Sequence, residues 1–205
     1  MYDQSAILRI IPCLLISDSG LVKTTKFKNP VYIGDAVNAV KIFSEKEADE
    51  LILLDIDCGP KNRNPRIDII SEIVSEAFMP ICYGGGIKDT KTINKILFSG
   101  VEKVSINSSS HYDPELIKNA ASIFGSQAIV VSIDVGNNWR GEKTVYIDCG
   151  RENTGLDPVD YALKMQDLGA GELLINCIYN DGIMSGYDID LMKSISTAVD
   201  IPVIA

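Results

Sequence analysis

Two stretches of this chain read alike. Glu47-Ala48-Asp49-Glu50-Leu51-Ile52-Leu53 returns as Gly169-Ala170-Gly171-Glu172-Leu173-Leu174-Ile175, an offset of 122 residues (169 − 47). Met79-Pro80-Ile81-Cys82 returns as Ile201-Pro202-Val203-Ile204 at the same offset. Pro12-Cys13-Leu14-Leu15-Ile16 resembles Val131-Ser132-Ile133-Asp134-Val135 at an offset of 119 (131 − 12). The first three apolar runs of the chain thus match its fifth, sixth and seventh.

The surrounding rhythm shows what is being repeated. Apolar runs at 7–16, 51–56, 80–83, 101–106, 128–135, 172–177 and 201–205 are rich in Val and Ile and nearly continuous. Strands of a parallel sheet covered on both faces read this way. Amphipathic segments lie between them, such as 35–48 with Val37, Val40 and Phe43 on one stripe, and 68–77 with Ile69, Ile73 and Val74. Asp113-Pro114-Glu115 and Asp157-Pro158 carry the cap-then-proline start of a helix, and Gly100, Gly125 and Gly169 read as helix ends. One departure, 135–150, reads as a hairpin turning at Arg140-Gly141-Glu142. Strands alternating with helices fit either a (β/α)₈ barrel or an open doubly wound sheet. No G-x-G-x-x-G follows the first run, and a four-plus-four duplication favours the barrel.

The repeat also predicts something outside the sequence. After Cys82 comes Tyr83-Gly84-Gly85-Gly86-Ile87, whereas after the matching Ile204 comes Ala205 alone. The expected fold is therefore a (β/α)₈ TIM barrel of two half-barrels, one domain over 1–205, lacking the end of strand 7 and all of strand 8.

Composition limits the function classes. The chain of 205 residues is 46% hydrophobic and 23% charged, enough to bury a sizeable core. With 19 basic and 28 acidic residues the net charge is −9, and no basic run offers a nucleic-acid surface. No apolar stretch approaches the roughly 20 residues of a membrane span, and Met1–Ser5 is polar, without a signal-peptide pattern. The expectation is a cytoplasmic protein with neither nucleic acid nor membrane as partner. Five cysteines form no C-x-x-C pair, so they read as small hydrophobes and no metal or other cofactor is predicted. The lone histidine, His111, reads as a solvated loop residue.

In a barrel the chemistry sits where the strands end. Gly84-Gly85-Gly86 ends one strand; backbone N–H groups there can approach an anion, helped by the start of the next helix. Asn107-Ser108-Ser109 follows the neighbouring strand, and the two make a candidate phosphate cradle. Cys149-Gly150, Asn153-Thr154-Gly155, Asn180-Asp181-Gly182 and Ser185-Gly186 lie on the other half and suggest a second anion site, hence a substrate with two phosphates. Asp134, after the apolar run 129–133, is placed for acid/base work at the mouth. Its repeat partner is Leu15. Arg9, Glu50, Lys103 and Glu172 begin four strands; spacing alone reads them as ordinary strand-flanking charges.

Arg9-Ile10-Ile11-Pro12-Cys13-Leu14, Tyr83-Gly84-Gly85-Gly86-Ile87, Glu102-Lys103-Val104-Ser105-Ile106-Asn107, Phe124-Gly125-Ser126-Gln127, Val131-Ser132-Ile133-Asp134 and the stretch Asn180 to Asp188 resemble the cyclase subunit, HisF, of imidazole glycerol phosphate synthase. The resemblance runs from Ile7 to Ala205. It implies a barrel that binds a bisphosphorylated substrate and forms a heterodimer with a glutaminase subunit on its N-terminal face. Ammonia from that partner rises through the barrel. On this resemblance Arg9, Glu50, Lys103 and Glu172 match the ammonia gate. Gly84, Gly85, Gly86, Asn107 and Ser108 match one phosphate region, and Cys149, Gly150, Asp181 and Gly182 the other. Asp134 matches one of two catalytic aspartates.

The other aspartate falls at Leu15, which can neither donate nor accept a proton. Family members without it resemble paralogues of surface-polysaccharide pathways, working with a glutaminase and an amidotransferase-like enzyme on an acetamidino sugar. Leu15 beside an intact gate points to that role. The alternatives are a working cyclase of histidine biosynthesis and a non-catalytic scaffold that activates a glutaminase.

Overall fold

The structure is a computed structural model that describes residues 8–18, 20–59 and 61–205. The chain opens with β1 (Cys13–Ser17), then adds a hairpin, β2 (Gly20–Thr25) and β3 (Lys28–Gly34). Helices and strands then alternate: α1 (Ala36–Glu45), β4 (Leu51–Asp55), α2 (Ile67–Ser75), β5 (Ile81–Gly84), α3 (Thr90–Phe98) and β6 (Lys103–Ile106). Two helices follow, α4 (Ser108–Tyr112) and α5 (Glu115–Phe124). The second half holds β7 (Ile129–Asn137), β8 (Lys143–Ile147), β9 (Glu152–Asn153), α6 (Pro158–Asp167), β10 (Glu172–Cys177), α7 (Ile189–Ala198) and β11 (Val203–Ile204).

Seven of these strands run parallel in the order β1-β4-β5-β6-β7-β10-β11, and helices cover their outer face. The sheet is curled and TIM-barrel-like, as the repeat predicts. Among the described residues β1 and β11, its two ends, are not hydrogen-bonded to one another. Two antiparallel excursions leave it: β2–β3 pairs onto β1, and β8–β9 pairs onto β7.

The period of two along each strand builds two packed layers. On β4, Leu51 and Leu53 face outward and join Val40, Ile70, Ile73 and Ile93 in the layer beneath the helices. Ile52 faces inward and meets Cys82, Val130 and Leu174 on the barrel axis, with Ile11, Leu54 and Ile204 against them. Each large side chain fully buried this way contributes roughly 1.5–3 kcal/mol.

Helix starts follow local chemistry. The Asp35, Asp89, Asp157 and Asp188 side chains accept from the free backbone N–H groups that open α1, α3, α6 and α7. Pro158 fills the first position of α6, as its sequence predicts. Asp113 differs. It offers only its backbone carbonyl, to Leu116, and α5 starts behind Pro114 without a side-chain cap.

The β2–β3 hairpin is not anticipated from the sequence. Its turn residues Lys26 and Phe27 both sit at positive φ, 52° and 61°, where Asn and Gly are the usual occupants. No sequence cue marks such a turn. The first run also begins its paired strand later than read, at Cys13, and its residue 7 lies outside the described set. No helix among the described residues is long and apolar enough to cross a membrane.

Candidate functional site

The C-terminal ends of the parallel strands enclose one cleft of about 1490 Å³. Asp134, Gly84, Gly85, Gly86, Asn107, Ser108, Cys149, Gly150, Asp181 and Gly182 all line it, and so does Leu15. Leu15 on β1 and Asp134 on β7 are four strands apart along the sheet, which is half a turn of an eight-place barrel.

Asp134 is buried, with 5% of its surface exposed. Asn176, its register partner on β10, donates from Nδ2 to Asp134 Oδ1 and to Ser132 Oγ, each at 3.0 Å. Burial raises the Asp134 carboxyl to about 6; hydrogen bonds from Asn176 and Asn107 oppose that rise, and the charge of Asp181 adds to it. The site therefore holds a group that can gain or lose a proton near neutral pH. Sequence reading did not single out Asn176. Its signal was only a polar residue interrupting the apolar run 172–177.

The glycine turn is required by packing. A Cβ at Gly85 would lie 2.5 Å from the Asp55 carbonyl oxygen, and one at Gly86 2.8 Å from Cys58 Cβ. Both residues also have positive φ. The neighbouring serines are partly committed. Ser109 Oγ donates to the Ile87 carbonyl at 2.6 Å, tying this loop to the glycine turn. Ser108 Oγ accepts from the Asp148 N–H at 2.9 Å, and Asn107 Nδ2 donates to the Ser132 carbonyl at 3.1 Å. The start of α3 lies just beyond this turn and carries its own cap. Asp89 already caps it, accepting from the Thr92 N–H at 2.7 Å, and that bond holds its carboxyl below the usual range.

On the other half, Asp181 anchors the β2–β3 hairpin. Its Oδ2 accepts from Thr24 Oγ1 at 2.8 Å and from the Phe27 N–H at 2.9 Å, and its carbonyl accepts from the Lys26 N–H at 3.0 Å. These three bonds stabilise the turn whose backbone lies in the left-handed region. Gly182 and Gly150 admit the hairpin: a Cβ at Gly182 would meet the Thr24 carbonyl at 2.1 Å, and one at Gly150 would touch the Phe27 ring at 3.1 Å. Asp148, Cys149 and Gly150, which line the cleft, all take positive φ, a region unfavourable for the first two. Asn153, Thr154, Asn180 and Gly186 close their own turns and do not line the cleft.

A second charge cluster, also unforeseen, pins the β1–β2 turn. Arg63 grips Asp55 with two bonds of 2.9 and 3.1 Å and also binds Asp18; Lys61 binds Asp18 and, at 3.1 Å, Asp57.

At the opposite, N-terminal face the structure brings Arg9, Glu50, Lys103 and Glu172 into one closed ring. Lys103 Nζ lies 2.9–3.1 Å from the carboxylate oxygens of both glutamates. Arg9 binds Glu50 and, at 2.9 Å, Glu172. Burial alone would lower the Lys103 ammonium; hydrogen bonds to the two glutamates and their charge outweigh it and raise it. With two cations and two carboxylates the ring is formally neutral, and it lies across the N-terminal end of the barrel. The strand-flanking reading from spacing is thus replaced by contact. The cysteines are all free; Cys58 and Cys82 are buried, whereas Cys13 is exposed to the cleft rather than packed as a hydrophobe. His111 is half-buried in α4, edge-on to Tyr112 at 5.7 Å.

A family profile described as histidine biosynthesis protein matches residues 9–205. The chain belongs to that family. Within it, a Pseudomonas aeruginosa protein provisionally named imidazole glycerol phosphate synthase subunit hisF2 is 48% identical over 197 residues, covering 96% of this chain and 78% of the relative. A Vibrio vulnificus protein provisionally named subunit hisF3 is 46% identical over 198 residues, covering 95% and 75%. The imidazole glycerol phosphate synthase subunit HisF of Methanococcus vannielii is 42% identical over 217 residues, covering 96% and 80%. The histidine biosynthesis profile starts at Arg9, so all four ring residues and every cleft residue named above fall inside the matched region.

Proposed function

We propose that this HisF-type chain receives ammonia from a glutaminase subunit docked on the N-terminal face of its barrel. The ammonia passes the ring of Arg9, Glu50, Lys103 and Glu172 and reaches the cleft. There it serves amidation in the making of a surface-polysaccharide sugar, with an amidotransferase-like enzyme as third partner. One observation carries this reading: the ring is complete, while Leu15 stands in the cleft where an acid/base carboxylate is expected. The conduit end is kept and half of the acid/base pair is not.

In this reading the two glycine-rich halves of the cleft hold a bisphosphorylated ligand. Gly84, Gly85, Gly86, Asn107 and Ser108 take one phosphate; Cys149, Gly150, Asp181 and Gly182 frame the other. Asp134 manages protons alone. Losing one member of an acid/base pair costs roughly 10²–10⁴-fold in rate.

A second reading, a cyclase of histidine biosynthesis, is favoured by the raised Asp134 carboxyl, which suits a lone proton carrier. It is also favoured by the name of the Methanococcus vannielii relative. Ammonia-driven turnover of the cyclase substrate separates the two. The ammonia-relay reading expects no cyclised product from the parent chain and at least partial recovery in Leu15→Asp. Turnover of the cyclase substrate by the parent chain would overturn it. Lys103→Met should uncouple glutamine consumption from product; an unchanged ratio would remove the ring from the path.

A further inference from the structure

We infer that Asn176 is a positioning residue: its amide fixes one oxygen of Asp134 and thereby holds that side chain in its proton-accepting form. The inference rests on the reading of Asp134 as the proton-handling group of the cleft.

The geometry is specific. In the parallel register of β10 and β7, Asn176 stands beside Asp134 and Leu174 beside Ser132. The Asn176 side chain spans both neighbours, with Nδ2 3.0 Å from Asp134 Oδ1 and 3.0 Å from Ser132 Oγ. An amide nitrogen carries two hydrogens and no lone pair for accepting, so both of its donors are committed to β7. An N–H donor binds a carboxylate oxygen more strongly than a neutral carboxyl, so the Nδ2 bond favours the ionised form of Asp134. Asn176 therefore orients Asp134 to take a proton from the ligand.

The other groups around Asp134 act differently. Asn107, just past β6, gives its Nδ2 to the Ser132 carbonyl at 3.1 Å and favours the ionised form from there, and the Asp181 charge from the loop after β10 opposes ionisation. The Cys13 thiol, deep in the barrel mouth although open to the cleft, and the Cys149 thiol in the turn after β8 are pushed up by desolvation to about 12 and about 11, and the Asp134 charge adds to both. Neither thiol is ionised at neutral pH, so neither supplies charge to Asp134. Asn176 is the donor that comes from the adjoining strand, where backbone pairing fixes its reach.

Two isosteric replacements test this in the full chain. Asn176→Thr keeps a donor hydroxyl; Asn176→Val has the same shape without one, and both suit a strand. The readout is the ¹³C resonance of the Asp134 carboxyl followed through a pH titration, with Asp134→Asn identifying the signal. Asn176→Val should move the Asp134 midpoint up by about one pH unit, and Asn176→Thr should leave it within about half a unit of the parent. Equal midpoints in the two variants, or a Val midpoint equal to the parent's, would overturn the proposal and leave Asn176 as packing. The titration needs no substrate. It stands or falls separately from the turnover comparison of parent and Leu15→Asp, which alone judges the role of Asp134 in chemistry.

Discussion

Asp134 shows how a single side chain can burden the fold it serves. Its carboxyl titrates at about 6 in the folded chain, because burial penalises the charged form. The ordinary value is 3.8. Between roughly pH 4 and pH 6 the folded chain keeps a proton that the unfolded chain has released. Stability therefore falls as pH rises through that window, and the cost is fully present at pH 7. Asp134→Asn should raise stability at pH 7 by up to roughly 3 kcal/mol and by nothing near pH 3.5. Urea midpoints of variant and parent at the two pH values check this; an equal gain at both would mean the charge is not the cause. Asp188 has the opposite sign. Its burial is outweighed by hydrogen bonds from Lys143 and Tyr179, at 2.5 and 2.6 Å, and its carboxyl falls to about 2. Its contribution is present above about pH 4 and is lost as pH falls through 2.

At the scale of elements, the β2–β3 hairpin is the least self-sufficient part of the molecule. β3 is exposed over most of its length, and the turn at Lys26 and Phe27 is unfavourable for both residues. Asp181, more than 150 residues away in sequence, compensates. Asp181→Ala should speed amide exchange in residues 21–33 by roughly tenfold or more while leaving β4 to β7 unchanged. Uniform exchange would show that the hairpin holds itself. This element also marks the limit of what the sequence discloses. The parallel strands were legible because continuous Val and Ile runs have few other structures open to them. The starts of α6 and of the β7–β8 excursion were legible because Asp157-Pro158 and Arg140-Gly141 carry local turn and cap chemistry. The hairpin was hidden because its turn is stabilised by a partner distant in sequence. The same holds for Asp134: its place at a strand end could be read, but the Asn176 bond depends on register between two strands. The Arg63 cluster was hidden likewise, since Asp18, Asp55 and Arg63 meet only once β1 and β4 are paired.

Across the whole molecule, charge is sorted between the two ends of one barrel. The N-terminal end holds two cations and two carboxylates in mutual contact, each glutamate bridging Arg9 and Lys103. Removing one partner of such a set leaves the others buried and uncompensated. Lys103→Met should destabilise the chain by about 3 kcal/mol, and Lys103→Arg by much less; thermal or urea unfolding reads both. Because the folded Lys103 value is raised, its contribution is complete below about pH 10.5 and is lost as pH climbs beyond. The C-terminal end has its glycines where strands meet loops. Gly182 is the extreme case, with the Thr24 carbonyl 2.1 Å from where a methyl would sit. A single alanine there would act as a wedge, displacing the hairpin by more than an ångström without adding or removing charge. Disorder in one wall of the cleft, where Thr24, Lys26 and Phe27 stand, is the consequence of that single methyl.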